Sequence, residues 1–164
     1  MPKVREVQRA ASPDVEEYRK RIRGGRPGVY YYVKLLGLET DDPLKLVVRV
    51  QRGFSFSALE RFQKNTALST IDLAQVVQIP VRTLMRRKAQ GRLQPDESDR
   101  LLRASRVFGR ALELFEGDIA AARRWVSTPL RAFGGARPIA VAGTDVGARE
   151  VDNLIGRLEH GIPT

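Results

Sequence analysis

Between Ser69 and Gly91 the side chains able to do chemistry are cations and a hydroxyl: Arg82, Thr83, Arg86, Arg87 and Lys88 crowd into one short stretch. Arginine can grip a guanine edge with two hydrogen bonds, lysine can neutralise a phosphate, and a threonine hydroxyl or methyl can meet base or backbone. The chemistry on offer is therefore recognition of a polyanion, not bond making. No convergent set of acids, bases and nucleophiles is visible elsewhere, so the chain does not read as an enzyme. It has no cysteine and a single histidine, His160, which leaves too few nitrogen or sulfur ligands for a typical zinc site. Gly134-Gly135 and Gly143-Thr144-Asp145-Val146-Gly147 lack both the Gly-Lys-Ser/Thr ending and the preceding strand of a phosphate loop. They read as turns, Trp125 reads as core filler, and no cofactor is expected.

The elements that must position the cations can be read from their start and stop signals. Ser69 is a good helix N-cap, Asp72 suits the positive helix end, and Leu73, Val76 and Val77 fall on one face. Gln78-Ile79-Pro80 breaks the period, and proline is tolerated where a second helix begins. Val81 and Leu84 are expected to anchor that second helix, turning Arg82, Thr83, Arg86 and Arg87 outward, with Lys88 near its end and Gly91 stopping it. Two short capped helices with a tight break form a helix-turn-helix, whose second helix can enter the major groove. A cationic outer face alone is the ordinary state of a surface helix; the capped helix before it makes double-stranded DNA the first partner to consider.

Charge is distributed in the same sense. Formal net charge is +10 over 164 residues. Residues 82–106 hold eight Lys/Arg against three Asp/Glu, residues 1–26 hold eight against four, and residues 107–164 hold seven of each. The excess sits in an amino-terminal arm and around the second helix, as polyanion binding requires. The neutral last third points to a different task.

The remaining periodicity is helical throughout. A helix over about Asp14–Arg23 is broken by Gly24-Gly25-Arg26-Pro27-Gly28, and residues 1–28 read as a basic arm, loose or ordered by a partner. Residues 29–38 read as a short helix. Asp42-Pro43, with Asp41 before them, opens a helix to about Arg52 with Leu44, Val47 and Val48 on one side. Ser55 or Ser57 opens the next, with Leu59, Phe62 and Ala58 inward. Gln94-Pro95-Asp96-Glu97 starts a long helix whose Arg100, Arg103 and Arg106 could line phosphates, and Asp118 restarts a helix through Val126. Thr144 or Asp145 caps a last helix with Val151, Leu154, Ile155 and Leu158 on its apolar face. The expected fold is all-α, a compact bundle divided at 1–28, 29–106 and 107–164. No apolar run approaches the roughly 20 residues of a membrane span, and the start lacks a signal-peptide core, so a cytoplasmic setting is expected.

Trp125 with Thr128-Pro129, Phe133-Gly134-Gly135, Arg137-Pro138, Thr144, Gly147, Val151, Leu154, Gly156-Arg157 and Glu159-His160-Gly161 resembles the toxin-binding region of the Xre/MbcA/ParS antitoxin family. Upstream, Gly53, Phe56-Ser57-Ala58-Leu59, Leu68-Ser69, Leu73-Ala74, Ile79-Pro80, Thr83-Leu84, Arg86-Arg87, Leu93 and Glu97-Ser98-Asp99-Arg100-Leu101 resemble its Xre-type helix-turn-helix portion. The resemblance covers roughly residues 29–161. It implies an Xre-like helix-turn-helix bundle with a carboxy-terminal helical toxin-binding region, paired with a RES-domain toxin that depletes NAD. It also implies a homodimer built through the amino-terminal region and operator DNA binding for autoregulation, against the alternative of a stand-alone repressor. The toxin's NAD site would be closed by Arg157, Glu159, His160, Gly161 and Ile162, with Glu159 facing the toxin's phosphate-holding cations. Ala142-Gly143 departs from the larger apolar and acidic residues usual in relatives, so a toxin contact there is expected to be weaker or differently shaped.

Overall fold

The computed structural model describes residues 11–40 and 42–163, so residues 1–10 of the arm, Asp41 and Thr164 lie outside the described residues. Its spine is a 20-residue helix, Pro95–Leu114 (α6 in the numbering below), about 30 Å long. Pro95 occupies the first turn, where no amide partner is lost, and Gln94 and Glu97 form a reciprocal capping box. Leu101, Ala104, Val107, Phe108, Ala111 and Leu112 are buried along it, so neighbours cover it on several sides.

Those neighbours are, in chain order, α1 (Pro13–Arg23), α2 (Pro43–Arg52), α3 (Phe56–Thr66), α4 (Thr70–Val77), α5 (Val81–Gln90), then after α6 the helices α7 (Ile119–Ser127), α8 (Pro138–Val141) and α9 (Asp145–Glu159). Two 3-10 turns, Tyr31–Leu36 and Arg131–Phe133, complete the order. The all-α expectation holds among the described residues, where the single antiparallel bridge joins Ser55 to Arg92. The main core runs from Val15 to Ile139 through α6, and a smaller cluster gathers Val107, Ala142, Ala148, Val151 and Ile155 under α9. The 106/107 division falls inside α6, a helix both regions share.

Several expectations need correction. The described part of the arm holds α1, which is capped by Ser12, buries Val15 and Tyr18, and packs on its own chain. Arg61 of α3 donates two hydrogen bonds to Asp14, holding that carboxyl below the usual aspartate range, and Arg19 Nε donates to the Gly117 carbonyl at 2.7 Å. On α2 it is Leu46 that is buried, while Leu44, Val47 and Val48 are 75, 50 and 42 % exposed. Apolar periodicity marks a face that wants cover, and on α2 the described residues do not supply it.

Arg100, Arg103 and Arg106 are likewise not a phosphate-lining row. Arg100 pairs with Asp96 and donates to the Val77 carbonyl, Arg103 pairs with Asp99, and Arg106 reaches Asp152 of α9 at 3.2 Å. The Asp96 and Asp99 pairs lie within α6, while Arg100 ties it to the end of α4 and Arg106 ties it to α9. No helix among the described residues is long and apolar enough to cross a membrane.

Candidate functional site

The helix-turn-helix is built as its residues dictate. Ser69 Oγ accepts from the Asp72 amide at 3.0 Å, Gln78 turns the chain in the left-handed region at φ 57°, and Gly91 ends α5 at φ 74°. Leu84 is buried and fixes α5 against the body. Val81, expected to share that anchoring, is 41 % exposed. Arg82 and Arg86, one turn apart, are both exposed; Thr83 between them is half-buried.

Arg87 departs from the expected outward set. Three residues after Leu84, it shares the inward side of α5. Its Nε lies 3.0 Å from both oxygens of Glu97, its Nη2 2.9 Å from Oε1, and the two side chains are only 14 and 3 % exposed. Arg87 therefore fastens the second helix to the start of α6. Lys88 remains 61 % exposed beside Glu60 at 3.6 Å, an exposed pair that yields easily to a phosphate.

The carboxy-terminal face is organised around α9. Thr144 caps it, with its hydroxyl oxygen 3.0 Å from the Gly147 amide; Val151, Leu154 and Ile155 are buried, and Leu158 is 37 % exposed. Glu159 does not project freely as expected: its carboxylate accepts from Arg110 Nη2 at 3.0 Å, while Arg110 Nη1 binds Glu113 at 2.8 Å. The helix then closes with Ile162 N donating to the Arg157 carbonyl and Gly161 N to that of Leu158, a turn that needs the positive φ of Gly161. Beyond Glu159 the chain leaves the body. His160, Gly161 and Ile162 are exposed, and Arg157 is half-buried in the last turn.

Ala142 is buried in the chain's own small core, so it offers a toxin no surface. No group of three His, Cys, Asp or Glu that could hold a metal exists among the described residues. One joint escaped the sequence reading. Arg137, just before α8, donates to Asp72 at 2.8 Å and to Gln75, both on α4. Burial opposes charge on Asp72, but the hydrogen bonds from Arg137 and Ser69 outweigh it and lower its pKa. The carboxy-terminal region is thereby clamped to the first helix of the helix-turn-helix.

Comparison with known proteins covers both faces. Residues 45–106 match the Antitoxin Xre-like helix-turn-helix domain, and residues 110–161 match the Antitoxin Xre/MbcA/ParS C-terminal toxin-binding domain. A protein named Antitoxin Xre from Yersinia enterocolitica is 37 % identical over 128 residues, covering 77 % of this chain and 86 % of its own length. Antitoxins Xre from Photorhabdus laumondii and Pseudomonas putida are 34 and 29 % identical, over 79 and 75 % of this chain and 88 and 76 % of their own. With capped paired helices on one side and a projecting tail on the other, the chain belongs to the Xre/MbcA/ParS antitoxin family, with a helix-turn-helix domain followed by a toxin-binding carboxy-terminal domain.

Proposed function

We propose that this antitoxin neutralises a RES-domain toxin that degrades NAD, by seating Arg157, Glu159, His160, Gly161 and Ile162 at the toxin's active site. The observation that carries the reading is the tail: α9 is held by Arg110 and its own small core, while His160, Gly161 and Ile162 are exposed on a turn whose amides bond back to Gly156, Leu158 and Arg157. A plug must be stiff at its base and exposed at its tip, since ordering a floppy segment would weaken binding. Glu159 is the base of this plug and not its tip. Mixing the purified chain with the RES-domain protein of the same operon is expected to give one co-eluting complex on size exclusion; separate elution contradicts the reading.

The same protein binds operator DNA through α5 and restrains its own transcription in the cytoplasm. Arg82 and Arg86 are the base-reading candidates because both are exposed and one turn apart; Thr83 and Lys88 lie at the edge of that face, and Arg87 acts behind it. Arg82→Ala and Arg86→Ala are each expected to weaken operator binding by about 1–3 kcal/mol with an unchanged melting temperature. Operator titrations with wild-type affinity in both variants would move the reading face elsewhere. Affinity should also fall steeply with salt.

A homodimer through the amino-terminal region uses the uncovered Leu44, Val47 and Val48 of α2. Glu39 and Asp42 lie at one end of this helix and Arg49 and Arg52 at the other, about 15 Å apart, so an antiparallel two-fold pairing sets opposite charges side by side. Val47→Glu is expected to release monomers in sedimentation equilibrium, and an unchanged mass would reject this surface.

A further inference from the structure

A groove of about 340 Å³ opens beside the tail, between α7, the loop after it and the outer side of α9. Its floor is Trp125 and Leu154, its walls are Leu130, Ala132 and Leu158, and Arg131 stands on the rim. The wall is rigid. Leu130 N donates to the Ala136 carbonyl at 3.0 Å, the Leu130 carbonyl accepts from both Phe133 N and Gly135 N at 3.0 Å, and Ala136 N returns to the Phe133 carbonyl at 3.1 Å. Phe133 is pinned in the small core on the other side. The loop therefore cannot fold down to cover Leu158, and the apolar groove stays open.

What covers it follows from position and charge. Every lining residue falls within the stretch matching a toxin-binding domain, and Leu158 is two residues from the exposed tip that begins at His160. A toxin engaged by the tip passes over this groove. Arg131 is exposed and has no ion pair among the described residues, so it favours an acidic neighbour in whatever enters. The geometry points to this groove as the anchor for an apolar side chain that the toxin carries beside a carboxylate, separate from the tail that closes its active site. This rests on the toxin reading above and adds a division within it: the groove supplies affinity and the tip supplies inhibition. Such desolvated apolar pockets near an interface centre are where a few residues carry most of the binding energy.

Ala132→Glu and Leu158→Glu, made in the full chain, place a carboxylate in the groove. Ala132 is exposed on a short turn, so its substitution tests the groove without burdening the core. The partner is the RES-domain protein of the same operon, with Kd read by calorimetry and NAD turnover read at saturating antitoxin. Each variant is expected to bind about 30-fold more weakly and yet to silence the toxin once saturated. A chain ending at Glu159, by contrast, keeps most of the affinity and loses the inhibition. Unchanged Kd in both groove variants overturns the anchor and leaves the tail reading standing, as does altered self-association without altered toxin affinity. Active toxin at saturation in the groove variants overturns the division of roles. No association of the unmodified chain overturns both readings.

Discussion

Arg87→Ala is expected to lower stability by about 3–5 kcal/mol, the cost of leaving a buried charge without its partner. Glu97 is 2 % exposed, and it is held by the Arg87 guanidinium on one side and the Gln94 amide at 2.8 Å on the other. Alanine at 87 removes the cation and leaves a carboxylate at the root of the spine helix with its charge uncompensated. For a chain of this size the melting temperature should drop by roughly 10 °C. Operator binding would fail only as the protein unfolds. Arg82→Ala, on an exposed arginine of the same helix, should melt with the wild type. Replacing both members, Arg87→Met with Glu97→Gln, should recover much of the loss, since no unpaired charge remains and the amide oxygen can still take the Gln94 hydrogen bond. Wild-type melting of Arg87→Ala would return that residue to the DNA face.

The second large effect turns on one helix and two glycines. Gly147 lies in the first turn of α9, where a Cβ would overlap the Val141 carbonyl oxygen at the end of α8; Gly156 lies further along with nothing within 4 Å of the same added atom. Helix propensity alone favours alanine over glycine by about 1 kcal/mol at either site. At Gly147 the obstruction is backbone, which cannot swing aside, so Gly147→Ala should cost about 3 kcal/mol and lift α9 from the small core around Val151 and Ile155. Gly156→Ala should be neutral or stabilising. Chemical denaturation of the two variants compares them directly, and a stabilised Gly147→Ala would show that α8 and α9 do not approach as described.

How much of this was legible in the residues depended on whether the signal was local. Ser69, the Gln78-Ile79-Pro80 break and Gly91 each act within a turn of the backbone they cap, and α4 and α5 lie where those signals put them. The same holds for Asp42 before α2, Ser55 before α3 and Thr144 before α9. Facing was harder, because a helix wheel shows which residues share a side and not what covers that side. Leu44, Val47 and Val48 read as one apolar side and are exposed; Arg87 reads as outward and is half-buried because Glu97 waits ten residues on. Arg137 meets Asp72 across 65 positions and Arg106 meets Asp152 across 46, distances at which no local pattern operates. The proposed role of the tail rests on the resemblance to relatives alone, since His160, Gly161 and Ile162 carry no chemistry that marks a plug.

NAD consumption by the RES-domain toxin, followed alone, with the full chain, and with a chain ending at Glu159, tests the occlusion most directly. Cutting there spares the Arg110 ion pair, the α9 core and the whole helix-turn-helix. The full chain should stop NAD loss at one equivalent per toxin site, while the shortened chain, equally helical and equally able to hold operator DNA, should leave the toxin running. Complete inhibition by the shortened chain would contradict a tip that closes the toxin's active site.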